Sequence, residues 1–593
     1  MGNKPLGQVV VTLGGIRFPR RSVAFALTAI AMLPHNSPSQ TKLQETSLQN
    51  QQALVDSSEI SHHARDRQAR FESRRRQMLP RFSAGPPDRC LVVGRFCEWH
   101  PNYVDYVVPD EGNDIRRARA ELLHDLEKAG NAVPDDDWII GQRIRYLVEG
   151  HDSSAISVAR SCKATKWWCD ALLGLALHVR GNFAAADSTF SVALGEMPSP
   201  TRCHWLNLSP LLDDNLRDTY RRMSCAQREA ANARIWWVAD PLYITPGNER
   251  RTEHFSRVLH TALEQDAANT YGVRWSGDLA ELVLRFGWAE KWTQEPSASM
   301  YLEARIAVAG HEPEPGFHFF LTQRPPDTLA RIVDSLFEIK QFPPREQYAP
   351  PYARSFTSLD AQVARFRRGD STRIVAAYDV SADTIFRRHK FAAALIAMAD
   401  EATTPSMTEV AESPASNVIT VSTPWKSQLI GVELLAKDSA GAARWRTGFA
   451  EIPVDSGMVS VSDLLFVDGS PSLPSDLNEA IPHAHGGTRF KRDKQVGLFW
   501  ELYGKTPADS ALPISLTITP IEEGFLRRAF RALRIVPKVT PLNIRWRENG
   551  ASGVVSARSV LLDLSLVPAG KYAVKLEVGN YPLAVASRII EVE

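Results

Sequence analysis

Residues 167–198 read WWCDALLGLALHVRGNFAAADSTFSVALGEMP, and their spacing predicts two antiparallel helices joined at a glycine. Leu173, Gly174 and Leu177 fall within one turn of each other and share one face of the first helix. Gly174 has no side chain, so the second helix can approach closely there. Gly181 sits at the turn, where a left-handed backbone costs glycine little. Ala186, Phe190 and Ala193 then form a small-large-small stripe on the second helix. Pro198 closes the unit, because proline cannot continue a helix.

These glycine, small, aromatic, small and proline positions resemble a tetratricopeptide repeat. Asp170 stands where that pattern prefers Trp, with Trp167 and Trp168 just upstream. A weaker copy precedes it between Asp136 and Lys166, carried by Tyr146, Gly150, Ala155 and Ala159. Gly150 and Gly181 are 31 residues apart, under the usual value of roughly 34, which predicts a shortened loop. Two units rarely bury enough surface alone, so helices over 114–129 and 213–231 are expected as caps. The resemblance implies a unit whose concave groove holds a protein partner and which carries no chemistry of its own.

The chain has 593 residues, 44% hydrophobic and 23% charged, enough for three or four domains. A net charge of +1, with no basic stripe interleaved with aromatics, speaks against a nucleic-acid partner. The one basic stretch, His62 to Arg81, reads as a solvated helix with Phe71, Met78 and Leu79 turned inward. At the N-terminus, Arg17, Arg20 and Arg21 precede an apolar run from Val23 to Leu33, and Ala29-Ile30-Ala31 resembles a cleavage site. Residues 1–33 are therefore expected to be an export signal, and 34–85 a polar, basic, partly disordered segment. No later apolar run reaches the roughly 18 residues that span a bilayer.

Six cysteines fall as local couples: Cys90 with Cys97, Cys162 with Cys169, and Cys203 with Cys225. Export would place them where disulfides form, although the sequence leaves the connectivity open. No spacing matches a zinc site, and the sequence names no cofactor.

Between Trp236 and Trp292 the chain reads WWVADPLYITPGNERRTEHFSRV and then TYGVRWSGDLAELVLRFGWAEKW. An Asp240-Pro241 turn, a helix start at Asn248-Glu249, Arg257, then Gly272, Trp275, Asp278, Arg285, Gly287 and Trp288 follow in order. That order resembles the GWxTD-domain family of bacterial envelope proteins. Val273 and Arg274 separate Gly272 from Trp275, and Gly277 stands where Thr is expected. The resemblance implies an envelope setting and supplies no activity. Read physically, Asn248 caps a helix, and Glu253 and Arg257 can pair along one exposed face. Glu249, Glu253 and His254 lack the HExxH spacing of a metal site. The tryptophans 236, 237, 288 and 292 read as core anchors. His311 to His318 (HEPEPGFH) and His483 to His485 sit in loop sequence without nameable further ligands.

Paired prolines punctuate 325–351 and predict a connector, followed by a short helix over Leu359 to Arg368. From Arg373 onward, short alternating runs predict one or two antiparallel sandwiches, with a flexible linker over 402–417. Phe525 to Arg534 (FLRRAFRALR) reads as a basic amphipathic helix that offers a peripheral membrane contact.

The expected architecture is multidomain α+β. A signal (1–33) and a polar segment (34–85) precede a helical tetratricopeptide-like array (86–232) and a small mixed GWxTD-like domain (233–325). A Pro-rich connector (326–370) then leads to a β-sandwich region (371–593). The expected role is an exported scaffold for protein contacts in the cell envelope or periplasm. The alternatives are a peptide or glycan hydrolase with its site in 236–320, tested at Glu249, His254 and Asp278, and a carbohydrate- or lipid-associated β module.

Overall fold

The structure, a computed structural model, describes residues 38–82, 91–98, 107–295, 307–320, 345–451, 459–469, 472–504, 511–521, 541–549, 555–565, 567–579 and 583–593. The expected signal, Cys90, the double prolines at 325–326 and 343–344, and the basic stretch 525–534 lie outside them. The chain divides into two units, 1–59 and 60–593. What is described of the first is helix, the opening part of α1 (Pro38–Met78). Disorder was the expectation for that stretch. Its Gln, Lys, Glu and Leu content is permissive for helix, which explains the difference.

Among the described residues of 60–593, the second part of α1, ten further helices and two small ribbons form the helical half. The second part of α1 leads to a ribbon of β1 (Leu91–Val93) and β2 (Phe96–Glu98). Then come α2 (Asn113–Ala132), α3 (Asp137–Glu149), α4 (Ala155–Arg160), α5 (Lys166–Val179), α6 (Phe183–Glu196) and α7 (Ser199–Trp205). After these, α8 (Asp214–Arg221), α9 (Cys225–Ala239), α10 (Glu249–Gln265) and α11 (Gly277–Phe286) precede a ribbon of β3 (Lys291–Glu295) and β4 (Ala307–His311). The quoted stretch is the α5–α6 hairpin. Gly181 adopts φ +73° at its turn, and Ala186, Phe190 and Ala193 are fully buried. Its Pro198 starts α7. Among the described residues, the disulfides Cys162–Cys169 and Cys203–Cys225 join two of the local couples, and such bonds indicate an oxidising environment. No described helix is long and apolar enough to cross a membrane.

The basic stretch of α1 is less solvated than its composition suggests. Phe71 and Leu79 are buried, but so is Arg75, which bonds Glu149 at 2.9 Å and Glu111 at 2.6 Å. Arg145 meets Glu264 at 2.6 Å in the same cluster. Burial is tolerable there because each cation meets carboxylates directly.

The first sandwich is built from β5 (Phe356–Ser358), β6 (Ala361–Arg368), β7 (Ser371–Asp379), β8 (Phe391–Met398), β9 (Ser406–Val410), β10 (Ser416–Pro424), β11 (Gln428–Ala436) and β12 (Ala442–Phe449). One sheet has the order β10-β7-β6 and the other β5-β12-β11-β8-β9, with only the short β5–β12 pairing parallel. They share a core of Val363, Ile374, Leu395, Ile419 and Val432. The second sandwich comprises β13 (Ser460–Val461), β14 (Leu465–Asp468), a helical turn α12 (Leu477–Ala480), β15 (Arg489–Phe490), β16 (Gln495–Tyr503), β17 (Ala511–Pro520), β18 (Leu542–Asn549), β19 (Val555–Asp563), β20 (Gly570–Val578) and β21 (Ala584–Val592). Its β16 pairs with β13, β14 and β19, and the facing sheet runs β15-β21-β20-β17-β18. Trp500, Leu516, Val574 and Ile590 fill the space between.

Two expectations fail here for physical reasons. Within Leu359 to Arg368, the residues Ala361–Arg368 are the edge strand β6, not a helix. Val363 enters the first core while Ala364 and Phe366 pack on Phe499 and Val467 of the second sandwich. Burial on both faces hides the period-two signal, so the segment mimics a helix. The expected linker 402–417 carries β9 and the start of β10.

Gly174 tests the hairpin directly, since a Cβ there would lie 2.9 Å from two ring carbons of Phe190, itself fully buried. Gly174→Val should cost about 1–3 kcal/mol, read as a lower urea midpoint. Gly195→Ala, into open space, should cost nothing. Equal midpoints for both variants would contradict the packing described.

Candidate functional site

Helix α10 is the centre of the helical half, with 12 of its 17 residues buried. Asn248 caps it by accepting from the Arg251 amide at 2.8 Å. Its Phe255, Val258, Leu259 and Leu263 join the cluster formed by α3, α5 and α6, including Ile144, Ala171, Leu175 and Phe190. A Cβ on Gly141 of α3 would strike Leu263 at 2.8 Å. The paired helices are therefore covered by a helix of their own chain, and their packing does not stop at residue 233.

The polar residues of α10 are spent inside. Glu253 and Arg257 do pair, at 2.5 Å, but the pair is buried and not exposed as its spacing implied. Burial would raise the Glu253 carboxyl, yet Arg257 and His178, the latter 2.7 Å away, hold it low. Arg257 also donates to the carbonyls of Leu284, at 3.1 Å, and Arg285, at 3.0 Å, at the end of α11. Arg250 meets Glu346 at 2.6 Å, and His318 meets the other oxygen of Glu346 at 2.8 Å. His254 is wholly buried, and burial together with Arg250 pushes it down to about 3.

A second buried charge cluster lies where α9 ends against the first sandwich. Arg444 and Arg446 stand two apart on β12, so they share the face turned away from the sandwich core. Arg446 donates to the Asp240 carbonyl at 2.6 Å and Arg444 to the carbonyls of Asp240 and Pro241 at 2.9 Å each. These acceptors follow the C-terminus of α9, where the helix dipole favours a cation. Arg446 also grips Glu433 of β11 at 2.5 and 3.1 Å and lies 3.7 Å from the Tyr243 ring centre. Glu433 accepts the Ile244 amide at 2.9 Å with its other oxygen. Around this polar seam Trp237 and Val238 pack on Ala394, Ile396, Met398 and Leu429.

Beside the seam opens a cleft of about 760 Å³ between α6, α7, α9 and the β8–β9 turn. Leu194, Leu206, Trp236, Tyr243, Phe255 and Met398 line it. Asp187 and Arg251 pair at one rim, and Arg234 and Glu401, 3.2 Å apart, bridge the helical half to the turn.

The GWxTD-like residues are thus dispersed. Asp240 and Pro241 supply carbonyls to the seam, while Gly272 and Gly287 adopt φ of +69° and +111° beside α11. Trp275 is half-buried before α11, and Trp288 stacks on His260 with centroids 5.5 Å apart. Asp278 bonds Arg95 at 2.6 Å near the surface, whereas Glu249 accepts from the Tyr352 hydroxyl in the interior. Glu249, His254 and Asp278 consequently serve different contacts and do not form one constellation. His311 bonds Thr293 at 2.8 Å, and His485 lies on the Phe490 ring, centroids 4.4 Å apart. Sequence reasoning missed Arg444, Arg446, Glu433 and Glu346. The signal available for the first two was an R-x-R alternation inside AARWRTGF.

No family model matches the chain, and no curated protein does. Among solved structures, the FN1–FN3 domains of chicken CNTN1 align at 9% identity with a TM-score of 0.15, over 40% of this chain and 66% of that one. Red sea bream transglutaminase aligns at 10% identity with a TM-score of 0.13, over 55% of this chain and 44% of that one. At these scores neither likeness bears on fold or function.

Arg446→Met would leave Glu433 buried without its cation, a loss of about 3–5 kcal/mol. Adding Glu433→Gln should recover part of that loss. Denaturant unfolding of the single and double variants checks this, and a neutral single variant would refute the seam's role.

Proposed function

We propose that this chain is an exported scaffold of the bacterial cell envelope, acting in the periplasm, that holds a protein partner on its helical half. The tetratricopeptide-like hairpin and the GWxTD-like segment motivate the setting, and the two disulfides are consistent with export. The single observation that carries the partner site is the cleft beside α6. It is open, about 760 Å³, with an apolar and aromatic floor and a charged rim, proportions that suit an extended peptide or an exposed loop. The groove expected on the repeat pair is not the seat, because α10 already covers α3 and α5.

A photo-crosslinking amino acid at Ala233, on the exposed side of the cleft, should capture the same protein in intact cells repeatedly. The same probe at Ala573, on the second sandwich, should not. Gly195→Arg, which fills the cleft from open space, should reduce that capture at least tenfold without lowering stability. Equal capture from both positions, or capture indifferent to Gly195→Arg, would refute the reading.

A further inference from the structure

Among the described residues, the seam contains more carboxyl groups than cations. Asp240, Glu249 and Glu433 interact electrostatically with one another and with Arg446, Asp240 and Glu433 also with Arg444, and all five are buried. The other titratable groups facing them are Tyr243 beside the seam and Tyr348 and Tyr352 from the 345–353 segment, each pushed up chiefly by burial. Neighbouring charges on α10 are already matched, Arg250 by Glu346 and Glu253 by Arg257. Glu433 has its cation in Arg446. Among the described residues, Glu249 receives only the Tyr352 hydroxyl on one oxygen, and its other oxygen has no partner. One oxygen of Asp240 likewise has none. Two guanidiniums balance two carboxylates, and a third buried negative charge would stand uncompensated.

We propose that one proton on the Asp240/Glu249 pair latches the helical half to the first sandwich, and that this contact loosens as rising pH draws that proton away. The latch concerns only the seam and stands whether or not the cleft binds a partner. Electrostatics agree with the charge count. Burial raises Glu249 from its ordinary 4.5 to about 8, against the pull of Tyr352, and raises Asp240 too, with Glu249 adding to it. The sign follows from linkage. The folded seam binds the proton more tightly than the open chain, so the contact weakens as pH rises from about 4.5 toward about 8. For one proton the opening equilibrium should rise about tenfold per pH unit within that window.

The test is amide hydrogen exchange on the intact chain between pH 6 and 8, corrected for intrinsic rates. The reporters are the Ile244 amide, bonded to Glu433, and the β11–β12 ladder, with β20 of the second sandwich as reference. Opening of the reporters should increase about tenfold per unit while β20 does not respond. Glu249→Gln, and separately Asp240→Asn, should each abolish the slope, because either substitution balances the charges without a proton. A flat wild-type profile overturns the proposal whether or not the variants fold. A slope that survives in a folded variant of either position overturns it as well.

Discussion

Two arginines on one strand read the carbonyls that follow a helix, and the arrangement of the molecule depends on that contact. Arg444 and Arg446 donate to Asp240 and Pro241 just beyond α9. Desolvating two guanidiniums is expensive, and the expense is offset only where carbonyls, a carboxylate and the negative end of a helix converge. Such convergence has one geometry. It fixes the outer sheet of the first sandwich against the helical half, and apolar contacts of Trp237 and Val238 then fill the remaining surface.

From that constraint a layered order follows. The β5-β12-β11-β8-β9 sheet has helices on one face and its partner sheet on the other. The β10-β7-β6 sheet is in turn covered by the second sandwich through Phe366, Val375 and Phe499. Polar pins recur at this second contact. Arg365 meets Asp463 at 2.8 Å, and Gln362 bonds the Phe466 carbonyl at 2.9 Å. On the helical side, α10 takes the inner face of the paired helices, which moves the exposed concavity to the cleft beside α6.

The helical hairpin was legible because its determinants are local. Gly174 opposite Phe190, Gly181 at the turn and Pro198 at the end each act within one supersecondary unit. Strands with one wet face, such as β20 with Tyr572, Val574 and Leu576 inward, were legible for the same reason. Two strands covered on both faces were not. FAAALIAM of β8 and AARWRTGF of β12 lose the alternation that marks a half-buried strand. The buried ion pairs were invisible because their partners lie far apart in sequence, as with Arg250 and Glu346. A charge at helical spacing looks the same whether it faces water or the interior, which is why Glu253 and Arg257 read as an exposed pair.

The central claim is that the helical half and the first sandwich are one cooperative body, joined by charges that neither could bury alone. Amide exchange followed through a urea titration addresses it directly. Protection in α10 and in β11 should be lost at one common midpoint. Separate midpoints, with β11 still protected after α10 has opened, would contradict the account.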